Sequence, residues 1–286
     1  MTKNSELNYI RKAIEFARRA TPVILWTQDG LGAGNYLYLW LAAQKSLSSP
    51  EMSRVLYKEN MAPWLDHFPR LRSLTIEKSQ ISLFQKRSIY WGQEFGVDFE
   101  RAELHNFIRH FLLTSPKLAE SLRRAEQNTP DDNLVINVRR GDYYSVDKFR
   151  AEYGFDVVGY VREALALLSG SYGSVSFVSD DLVWCTQYLE PIVPNDFEVI
   201  PHYRNNVFDD LAKLAVAPSL VLANSTFSYW GAYIRDVHQE KASFSPPIFA
   251  NFHSRNHNNT HPWQIDPLWT SITEIPGGWQ EKEVNN

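Results

Sequence analysis

Short apolar runs alternate with amphipathic stretches through the second half of the chain. The short runs predict buried β-strands at residues 134–138, 175–178, 197–200 and 220–222. The longer stretches predict helices at residues 157–168, 181–189, 207–216 and 228–236. Strands that alternate with helices are typical of a parallel sheet that is covered on both faces. The pattern therefore predicts an α/β fold for this half of the chain.

The first half begins with the same kind of unit. Residues 23–27 predict a buried strand, the segment QDGLGAG predicts a glycine-rich turn, and residues 35–47 predict a helix. Residues 48–128 are mostly helical in pattern and less clearly organised. The polar segment NTPDDN follows them and is typical of a break between domains. We therefore expect an N-terminal α/β domain over residues 1–130 and a second domain over residues 131–286.

Polar residues cluster where the predicted strands end. The first strand runs into DGLGAGN, and three later strands run into RRGD, SDD and NSTFS. In open parallel sheets, ligands bind beyond the carboxyl ends of the strands. The four clusters are therefore expected to line one cleft.

Arg139 and Arg140 follow the strand at residues 134–138 and are themselves followed by a glycine and Asp142. A guanidinium suits a pair of phosphate oxygens, and Asp142 could orient an arginine or accept a proton. The glycine suggests a turn, so at least one of the two arginines can enter the cleft. The alternative is that the arginines cap the strand and pair with Asp142. An adhesion role for the tripeptide RGD is rejected because it borders a predicted core strand.

The segment at residues 224–228 places an amide and three hydroxyls at a strand-to-helix junction. Free backbone N–H groups and the helix dipole favour an anion there. The alternative is simple helix capping by Ser225 or Thr226. Asp180 and Asp181 have three open interpretations: a magnesium site, a contact to a guanine base, or a cap on the next helix. The glycines of GLGAG are also explained by turn geometry alone.

Composition narrows the class of protein. The chain has 286 residues, is 44% hydrophobic and carries a net charge of −4, so we expect a soluble protein without a nucleic-acid surface. Cys185 is the only cysteine, which excludes a disulfide framework and a thiolate zinc site. The first 20 residues predict an amphipathic helix with charges throughout, without the continuous apolar run of a signal peptide or membrane anchor, so we expect a cytoplasmic protein with no integral membrane segment. Three histidines, His253, His257 and His261, are spaced as metal ligands would be on a helix, but Pro262 and the surrounding Asn and Ser residues argue against one.

Four motifs together resemble the α-1,2-fucosyltransferase family and, more widely, the GDP-fucose-dependent fucosyltransferases. NVRRGDYY (residues 137–144) is similar to the family's His-x-Arg-Arg-Gly-Asp-Tyr motif, and FVSDDLVWC (177–185) to its Phe-Ser-Asp-Asp element. NSTFSYWGAYI (224–234) resembles the Asn-Ser-Thr-Phe-Ser-Trp-Trp-Ala signature, and GAGN (32–35) the N-terminal Gly-Leu-Gly-Asn. IYWGQEF (89–95) is only faintly similar. The four occur in the family's order.

The resemblance implies a GT-B-like architecture of two Rossmann-like domains that face each other across a cleft. It also implies an inverting transfer of L-fucose from GDP-β-L-fucose to a glycan hydroxyl, O2 of galactose in the family, without a metal or other cofactor. The expected catalytic residues are Arg139, Arg140, Asp142 and Asp29. Asp29 is preferred as the base, because Arg140 could hold Asp142 in an ion pair and Asp29 has no such neighbour. The expected donor-binding residues are Asn137, Asp180, Asp181, Asn224, Ser225, Thr226, Phe227, Ser228, Gly32, Gly34 and Asn35, and guanine is assigned to one of the two aspartates.

The chain departs from the family pattern at two places. Asn137 stands where the family has histidine, so that position keeps its hydrogen bonds but carries no charge and moves no proton. Leu31 stands where the family usually has its first glycine, and Ala33 where it has leucine. Two alternatives to fucosyl transfer follow: a non-catalytic relative that binds a nucleotide-sugar or a glycan, and a transferase that uses another GDP-sugar.

Overall fold

Parallel β-strands with helical connections build both halves of the chain. The computed structural model describes residues 12–14, 20–168, 172–239, 248–251 and 264–281. The chain divides into two compact units, Met1–Lys117 and Leu118–Asn286. The division expected at residue 130, as a boundary between domains that fold independently, stays a prediction.

The first unit contains a four-stranded parallel sheet in the order β3-β2-β1-β4. Its strands are β1 (Ala20–Trp26), β2 (Ser53–Leu56), β3 (Thr75–Ile76) and β4 (Gln85–Ile89). The helices are α1 (Ala33–Lys45), α2 (Ala62–His67) and α3 (Arg101–Phe107), which continues into a π-helical turn, Ile108–Leu112. Short 3₁₀ turns lie at Ser46–Ser48, Glu59–Met61, Pro69–Leu74 and Lys78–Gln80. The strand β4 pairs only with β1 and is an edge of this sheet.

The helix α1 supplies much of the core of the first unit. Leu37, Trp40 and Leu41 are buried on it, in keeping with a helix whose apolar residues cover a sheet. The indole N–H of Trp40 donates to Thr75 Oγ1 at 3.0 Å, so the largest side chain of this core is also hydrogen-bonded. The helix begins directly after the glycine turn, which fixes that turn at the carboxyl end of β1.

The second unit contains a six-stranded parallel sheet in the order β10-β9-β8-β5-β6-β7. Its strands are β5 (Asn133–Val138), β6 (Ser174–Ser179), β7 (Glu198–Val199), β8 (Ser219–Val221), β9 (Ile248–Asn251) and β10 (Thr270–Ile272). The helices are α4 (Pro116–Gln127, which begins in the first unit), α5 (Gly141–Ser145), α6 (Asp147–Tyr153), α7 (Val157–Leu167), α8 (Leu182–Tyr188), α9 (Val207–Val216) and α10 (Thr226–His238). A 3₁₀ turn lies at Glu190–Ile192.

The strand order of the second unit reverses at β5. From β5 the chain adds β6 and β7 on one side, and it then returns to add β8, β9 and β10 on the other. Every residue of β5, β6 and β8 is buried, which explains why β5 and β8 are mainly apolar; β6 alternates buried serines with apolar residues. A reversal of this kind leaves a crevice at the carboxyl ends of the two strands that flank it, here β5 and β8.

The prediction of a GT-B-like α/β fold is confirmed, because two Rossmann-like units with parallel sheets follow one another along the chain. The expectation for residues 48–128 is wrong in part, because this region holds the strands β2, β3 and β4. These strands are short, and β4 has charged, exposed residues at its centre, so none of the three gives a buried-strand pattern. His253, His257 and His261 lie outside the described residues. Among the helices that the structure describes, none has the length and apolar character needed to cross a bilayer.

Candidate functional site

Three neighbouring strands of the second unit end in polar residues at one edge of the sheet. Arg139 and Arg140 follow β5, Asp180 and Asp181 follow β6, and the segment that begins at Asn224 follows β8. The strands β6 and β8 both pair with β5 in parallel, so their carboxyl ends lie side by side. The structure therefore brings together the three clusters that the sequence placed in this unit.

Arg139 is held by two carboxylates. Its Nη1 donates to Asp180 Oδ2 at 2.6 Å and its Nη2 to Asp142 Oδ1 at 2.5 Å. The guanidinium also lies 5.5 Å from the ring centroid of Tyr143, and 39% of the side chain is exposed. These bonds use two of the five N–H donors of an arginine, so the remaining donors are available in a fixed orientation.

Arg140 is packed between two aromatic rings. Its guanidinium carbon lies 3.9 Å from the ring centroid of Tyr144 and 4.1 Å from that of Trp184, and only 13% of the side chain is exposed. Its Nε is buried without a hydrogen-bond acceptor among the described residues, and it lies 3.6 Å from Asp181 Oδ2 in an ion pair. The expected ion pair between Arg140 and Asp142 is wrong: Asp142 pairs with Arg139 instead. The chain turns into α5 at Gly141, which places Asp142 one helical turn from Arg139.

Asp180 and Asp181 have separate structural roles. Asp180 accepts the backbone N–H of Arg140 at 2.8 Å in addition to its bond with Arg139. Its carboxylate lies so close to Gly141 that a Cβ at that position would collide with it. Asp181 accepts the backbone N–H of Trp184 at 3.0 Å, which confirms the capping interpretation for this residue. The carboxylate of Asp180 therefore ties both arginines to the end of β6.

The helix α10 begins without a side-chain cap. Ser225 occupies the N-cap position, but its side chain makes no capping hydrogen bond, so the capping interpretation is wrong for this residue. Tyr229 donates its backbone N–H to the carbonyl of Ser225, and the N–H groups of Thr226 and Phe227 precede that first helical bond. The hydroxyls of Ser225 and Thr226 form no hydrogen bond with any described residue. A long helix thus directs unused donors and the positive end of its dipole toward the crevice beside β5.

Asn137 of β5 forms hydrogen bonds that link the helix α10 to the sheet. Its Nδ2 donates to the carbonyl of Val178 at 2.9 Å, and its Oδ1 accepts from the hydroxyl of Ser228 and from the backbone N–H of Ala223 at 3.4 Å. Asn137 and Ser228 are both buried. Both ends of the amide are therefore used within the protein, and a direct contact of Asn137 or Ser228 with a donor stays a prediction.

The carboxyl edge of the first unit carries a second polar group. Lys58 donates to Asp29 Oδ1 at 2.7 Å and to the carbonyl of Thr27 at 2.6 Å. This hydrogen bond and the charge of Lys58 lower the pKa of Asp29. The expectation that Asp29 has no cationic neighbour is therefore wrong, and Asp29 is a weaker base than an isolated aspartate. Gly30 has a φ of 83°, a left-handed conformation that favours glycine in this turn.

The remaining residues of the glycine segment also lie at this edge. Gly32 is the N-cap residue of α1, Gly34 is buried in its first turn, and Asn35 accepts from Gln93 Nε2 at 2.8 Å. Gln93 belongs to the segment IYWGQEF, so two motifs of the sequence meet in this unit. Phe227 and Asn224 lie at the start of α10 in the other unit, where Asn224 accepts from the hydroxyl of Tyr229 at 3.0 Å.

Several residues near these edges gave no local signal in the sequence. Lys58 is such a residue, and so are three residues near the end of β6: His202, Arg204 and Asp210. In that group His202 Nε2 lies 2.9 Å from Asp210 Oδ1, and Arg204 Nη2 lies 3.0 Å from Asp210 Oδ2. Arg204 also donates to the carbonyl of Ser179 at 3.3 Å, across a long separation in sequence. Such contacts form only when the sheet brings distant segments together.

The described residues contain no group of three or more His, Cys, Asp or Glu side chains placed to hold a metal ion. The single thiol, Cys185, is buried, and its desolvation raises its pKa to about 11. It is therefore not a nucleophile at neutral pH.

The chain is similar to known proteins in sequence and in structure. An Escherichia coli protein described as an alpha-1,2-colitosyltransferase is 27% identical over 186 residues, which cover 60% of this chain and 62% of that protein. The match thus spans less than two thirds of that relative's length. Among solved structures, NodZ alpha-1,6-fucosyltransferase soaked with GDP-fucose has a TM-score of 0.41 at 11% identity, covering 75% of this chain and 93% of that one. POFUT1 in complex with GDP has a TM-score of 0.36 at 15% identity, covering 80% and 72%.

A match to a family model identifies the protein family of this chain. The model described as Glycosyl transferase family 11 matches residues 47–261, which is well over half of the 286 residues. The match includes the two arginines after β5, the two aspartates after β6 and the start of α10. The chain therefore belongs to glycosyltransferase family 11.

Proposed function

We propose that the protein is an inverting fucosyltransferase. It transfers L-fucose from GDP-β-L-fucose to a hydroxyl of a glycan acceptor, O2 of a galactose residue, and forms an α-1,2 linkage without a metal ion. One observation carries this proposal: Arg139 is fixed by two carboxylates at the carboxyl end of β5, beside the uncapped start of α10. Membership of the family and the α-1,2 activity in the relative's name support the same conclusion.

The departing diphosphate determines which groups the reaction needs. Negative charge grows on the β-phosphate as the bond to the sugar breaks, and donors that already point at that charge lower the barrier. Arg139 retains unused N–H donors, and Ser225 and Thr226 add hydroxyls and backbone N–H groups at a helix N-terminus. We propose that these three residues bind the diphosphate. Arg140 acts as a positioning residue, because its guanidinium is enclosed by Tyr144 and Trp184.

The guanine base is assigned to one of the two aspartates that follow β6. Asp181 is favoured, because 41% of its side chain is exposed and its Oδ2 accepts no hydrogen bond from a described residue, although that oxygen lies 3.6 Å from Arg140 Nε in an ion pair. Asp180 uses both oxygens on Arg139 and on the backbone of Arg140. A preference for GDP over ADP is the expected consequence, since a carboxylate pairs with the N1–H and amino group of guanine and repels the acceptor N1 of adenine.

The acceptor hydroxyl must lose a proton during the transfer, and two carboxylates are candidates for the base. Asp142 is tied to Arg139 at 2.5 Å, and the pKa of Asp29 is lowered by Lys58. Asp142 is therefore engaged by Arg139, and Asp29 is a weaker base than an isolated aspartate. A transition state in which the sugar is strongly cationic needs no strong base, because the hydroxyl then loses its proton late, to the departing phosphate.

Two substitutions decide between these routes. Asp29→Asn and Asp142→Asn are each measured for transfer and for GDP affinity. Replacing the true base removes transfer and leaves GDP affinity unchanged, whereas replacing a carboxylate that only orients Arg139 lowers both. If both variants keep near-normal transfer, neither carboxylate is the base and the route without one is supported.

Colitose is the second candidate donor sugar. The relative from Escherichia coli is described as a colitosyltransferase, and colitose is L-fucose without its 3-hydroxyl group. A site that hydrogen-bonds the 3-hydroxyl of fucose would reject GDP-colitose strongly, whereas a site without that bond would accept both sugars. The ratio of kcat/KM for the two donors therefore distinguishes the proposals.

The test of the proposed function is a transfer assay in EDTA with GDP-fucose and a galactose-terminated oligosaccharide. We expect GDP release that depends on the acceptor, and a product whose NMR spectrum shows an α-fucosyl residue on O2 of galactose. A product with a β linkage, or turnover that stops in EDTA and returns with magnesium, would contradict the proposal. Binding of GDP and glycan without any transfer or donor hydrolysis would support the non-catalytic alternative.

A further inference from the structure

The strand β4 is preceded by a tight turn, Ser82–Gln85, that is closed by three hydrogen bonds. The backbone N–H of Gln85 donates to the carbonyl of Ser82 at 3.3 Å, and the side chain of Gln85 accepts the N–H of Ser82 at 2.8 Å. The N–H of Phe84 donates to Ser82 Oγ at 3.3 Å. Gln85 is itself buried, so the turn is anchored to the sheet. Its two central residues, Leu83 and Phe84, form the tip.

These two side chains project into solvent. Leu83 is 80% exposed and Phe84 is 61% exposed. Turn centres that face water normally carry Gly, Asn, Asp, Ser or Pro, because those residues suit the backbone or hydrogen-bond to it. Two adjacent large apolar residues neither favour the turn backbone nor hydrogen-bond to it, and they leave apolar surface in contact with water. An environment that takes up apolar side chains would explain them.

The charge around the turn is positive although the chain as a whole is negative. Residues 78–93, which lie between Glu77 and Glu94, contain Lys78, Lys86 and Arg87 and no Asp or Glu, whereas the whole chain has a net charge of −4. All three cations are exposed, and none of them forms an ion pair with a described residue. An apolar tip flanked by unpaired cations matches the interface of an anionic bilayer, which has phosphate groups above and acyl chains below.

We propose that the turn Ser82–Gln85 docks onto membranes that contain anionic lipids. Leu83 and Phe84 enter the boundary between headgroups and acyl chains, and Lys78, Lys86 and Arg87 contact the phosphates. A bilayer is favoured over a protein partner, because a two-residue tip is far smaller than the roughly 800 Å² per partner that a stable protein interface buries. Nucleic acid is disfavoured, because its backbone gives two apolar side chains no partner.

The test is sedimentation of the purified 286-residue chain with vesicles of phosphatidylcholine alone and with vesicles of 3:7 phosphatidylglycerol to phosphatidylcholine. We expect binding to the anionic vesicles only. Replacing Leu83 and Phe84 together with serine is expected to lower the partition coefficient roughly a hundredfold, about tenfold for each side chain. Replacing Lys86 and Arg87 with glutamate is expected to lower it at least about twentyfold, because each cation near an anionic surface contributes about fivefold.

Leu268→Ser is the matched control, because Leu268 is 76% exposed in a segment, residues 264–274, that has no Lys or Arg. It is expected to bind vesicles as the unaltered chain does. Absence of binding to anionic vesicles overturns the proposal, as does unchanged binding after the loss of Leu83 and Phe84. If only the charge substitutions abolish binding, the surface is a general polyanion site and the proposal is wrong.

A fluorescent label provides a second measurement that does not depend on the stability of the serine variant. Cys185 is buried and its thiol has a pKa of about 11, so a dye with thiol chemistry attaches selectively to the variant Leu83→Cys. A blue shift of an environment-sensitive dye on addition of anionic vesicles is expected if the tip enters the bilayer. The same dye on Leu268→Cys is expected to show no shift. Equal shifts at both positions, or none at position 83, contradict insertion.

Discussion

Substituting the two arginines one at a time separates leaving-group stabilisation from structural support. In Arg139→Ala the diphosphate loses a preoriented, charged donor, which costs about 3 kcal/mol at the transition state, or at least a hundredfold in kcat. The partners left behind, Asp142 and Asp180, are 47% and 24% exposed in their side chains and stay hydrated. The free energy of unfolding is therefore expected to change by about 1 kcal/mol or less.

Arg140→Ala is expected to act in the opposite way. The variant loses two cation–π contacts, at 3.9 and 4.1 Å, from a side chain that is only 13% exposed. Desolvated contacts of this kind contribute about 1–2 kcal/mol each, and the space left between the rings adds to the loss. We expect the free energy of unfolding to fall by about 2–4 kcal/mol. Where the variant is fully folded, kcat is expected to stay within about tenfold of the unaltered chain.

The assay is steady-state transfer from GDP-fucose at a temperature where both variants are folded, together with urea denaturation of each. Arg123→Ala is the control, because Arg123 is an exposed arginine on α4 whose partners among the described residues are its helix neighbours, Glu120 and Gln127. It is expected to change neither quantity. If Arg140→Ala loses a hundredfold in kcat while Arg139→Ala keeps its rate, the roles of the two arginines are reversed. If both keep their rates, the leaving group is bound elsewhere.

Three further predictions follow from single contacts. Gly141→Ala places a Cβ against the carboxylate of Asp180 and is expected to release Arg139, so GDP affinity should fall about tenfold or more while the fold is retained by circular dichroism. Ser225→Ala is expected to weaken GDP binding about tenfold with a change in the free energy of unfolding below about 0.5 kcal/mol, because the serine makes no cap bond; a loss of about 1 kcal/mol in urea denaturation would show that it does cap the helix. Desolvation lowers the pKa of Lys213 to about 8, so its charge opposes folding in full below pH 8 and progressively less between pH 8 and 10.5. Lys213→Met is therefore expected to raise the free energy of unfolding by about 1–3 kcal/mol at pH 7 and by less at pH 10; an equal gain at both pH values would exclude this cause.

Four of the six strands of the second unit, β5 to β8, were predicted from the sequence, and three of them, β5, β6 and β8, are buried throughout, whereas β9 and β10 were not predicted. The strands predicted at residues 134–138 and 175–178 match β5 and β6 to within a residue at each end. The strand β4 was not predictable, because an edge strand with Lys86 and Arg87 at its centre shows neither a continuous apolar run nor a strict alternation. The hydrophobic pattern of a sequence therefore indicates strands that are buried and misses strands that are exposed.

The sequence predicted which residues lie at the candidate site, but not which of them form ion pairs with each other. Parallel strands place their following residues at one edge, so the sequence alone grouped the arginines with the aspartates after β6. Asp142 pairs with Arg139 and not with Arg140 because the chain turns into a helix at Gly141. The alternation of side chains along a strand therefore does not continue beyond the arginines. The bond between Lys58 and Asp29 joins residues 29 positions apart and has no local signal at all.

The central claim is that the crevice beside β5 and β8 binds the diphosphate of GDP through Arg139 and the start of α10. Calorimetric titration of GDP into the unaltered chain and into Arg139→Ala, both in EDTA, tests it most directly. We expect the unaltered chain to bind GDP in the presence of the chelator and to bind ADP and UDP more weakly. Arg139→Ala is expected to lower GDP affinity at least about tenfold, because a charged donor to phosphate is lost. Equal GDP affinity of the two proteins, or no binding until a divalent metal is added, would contradict the claim.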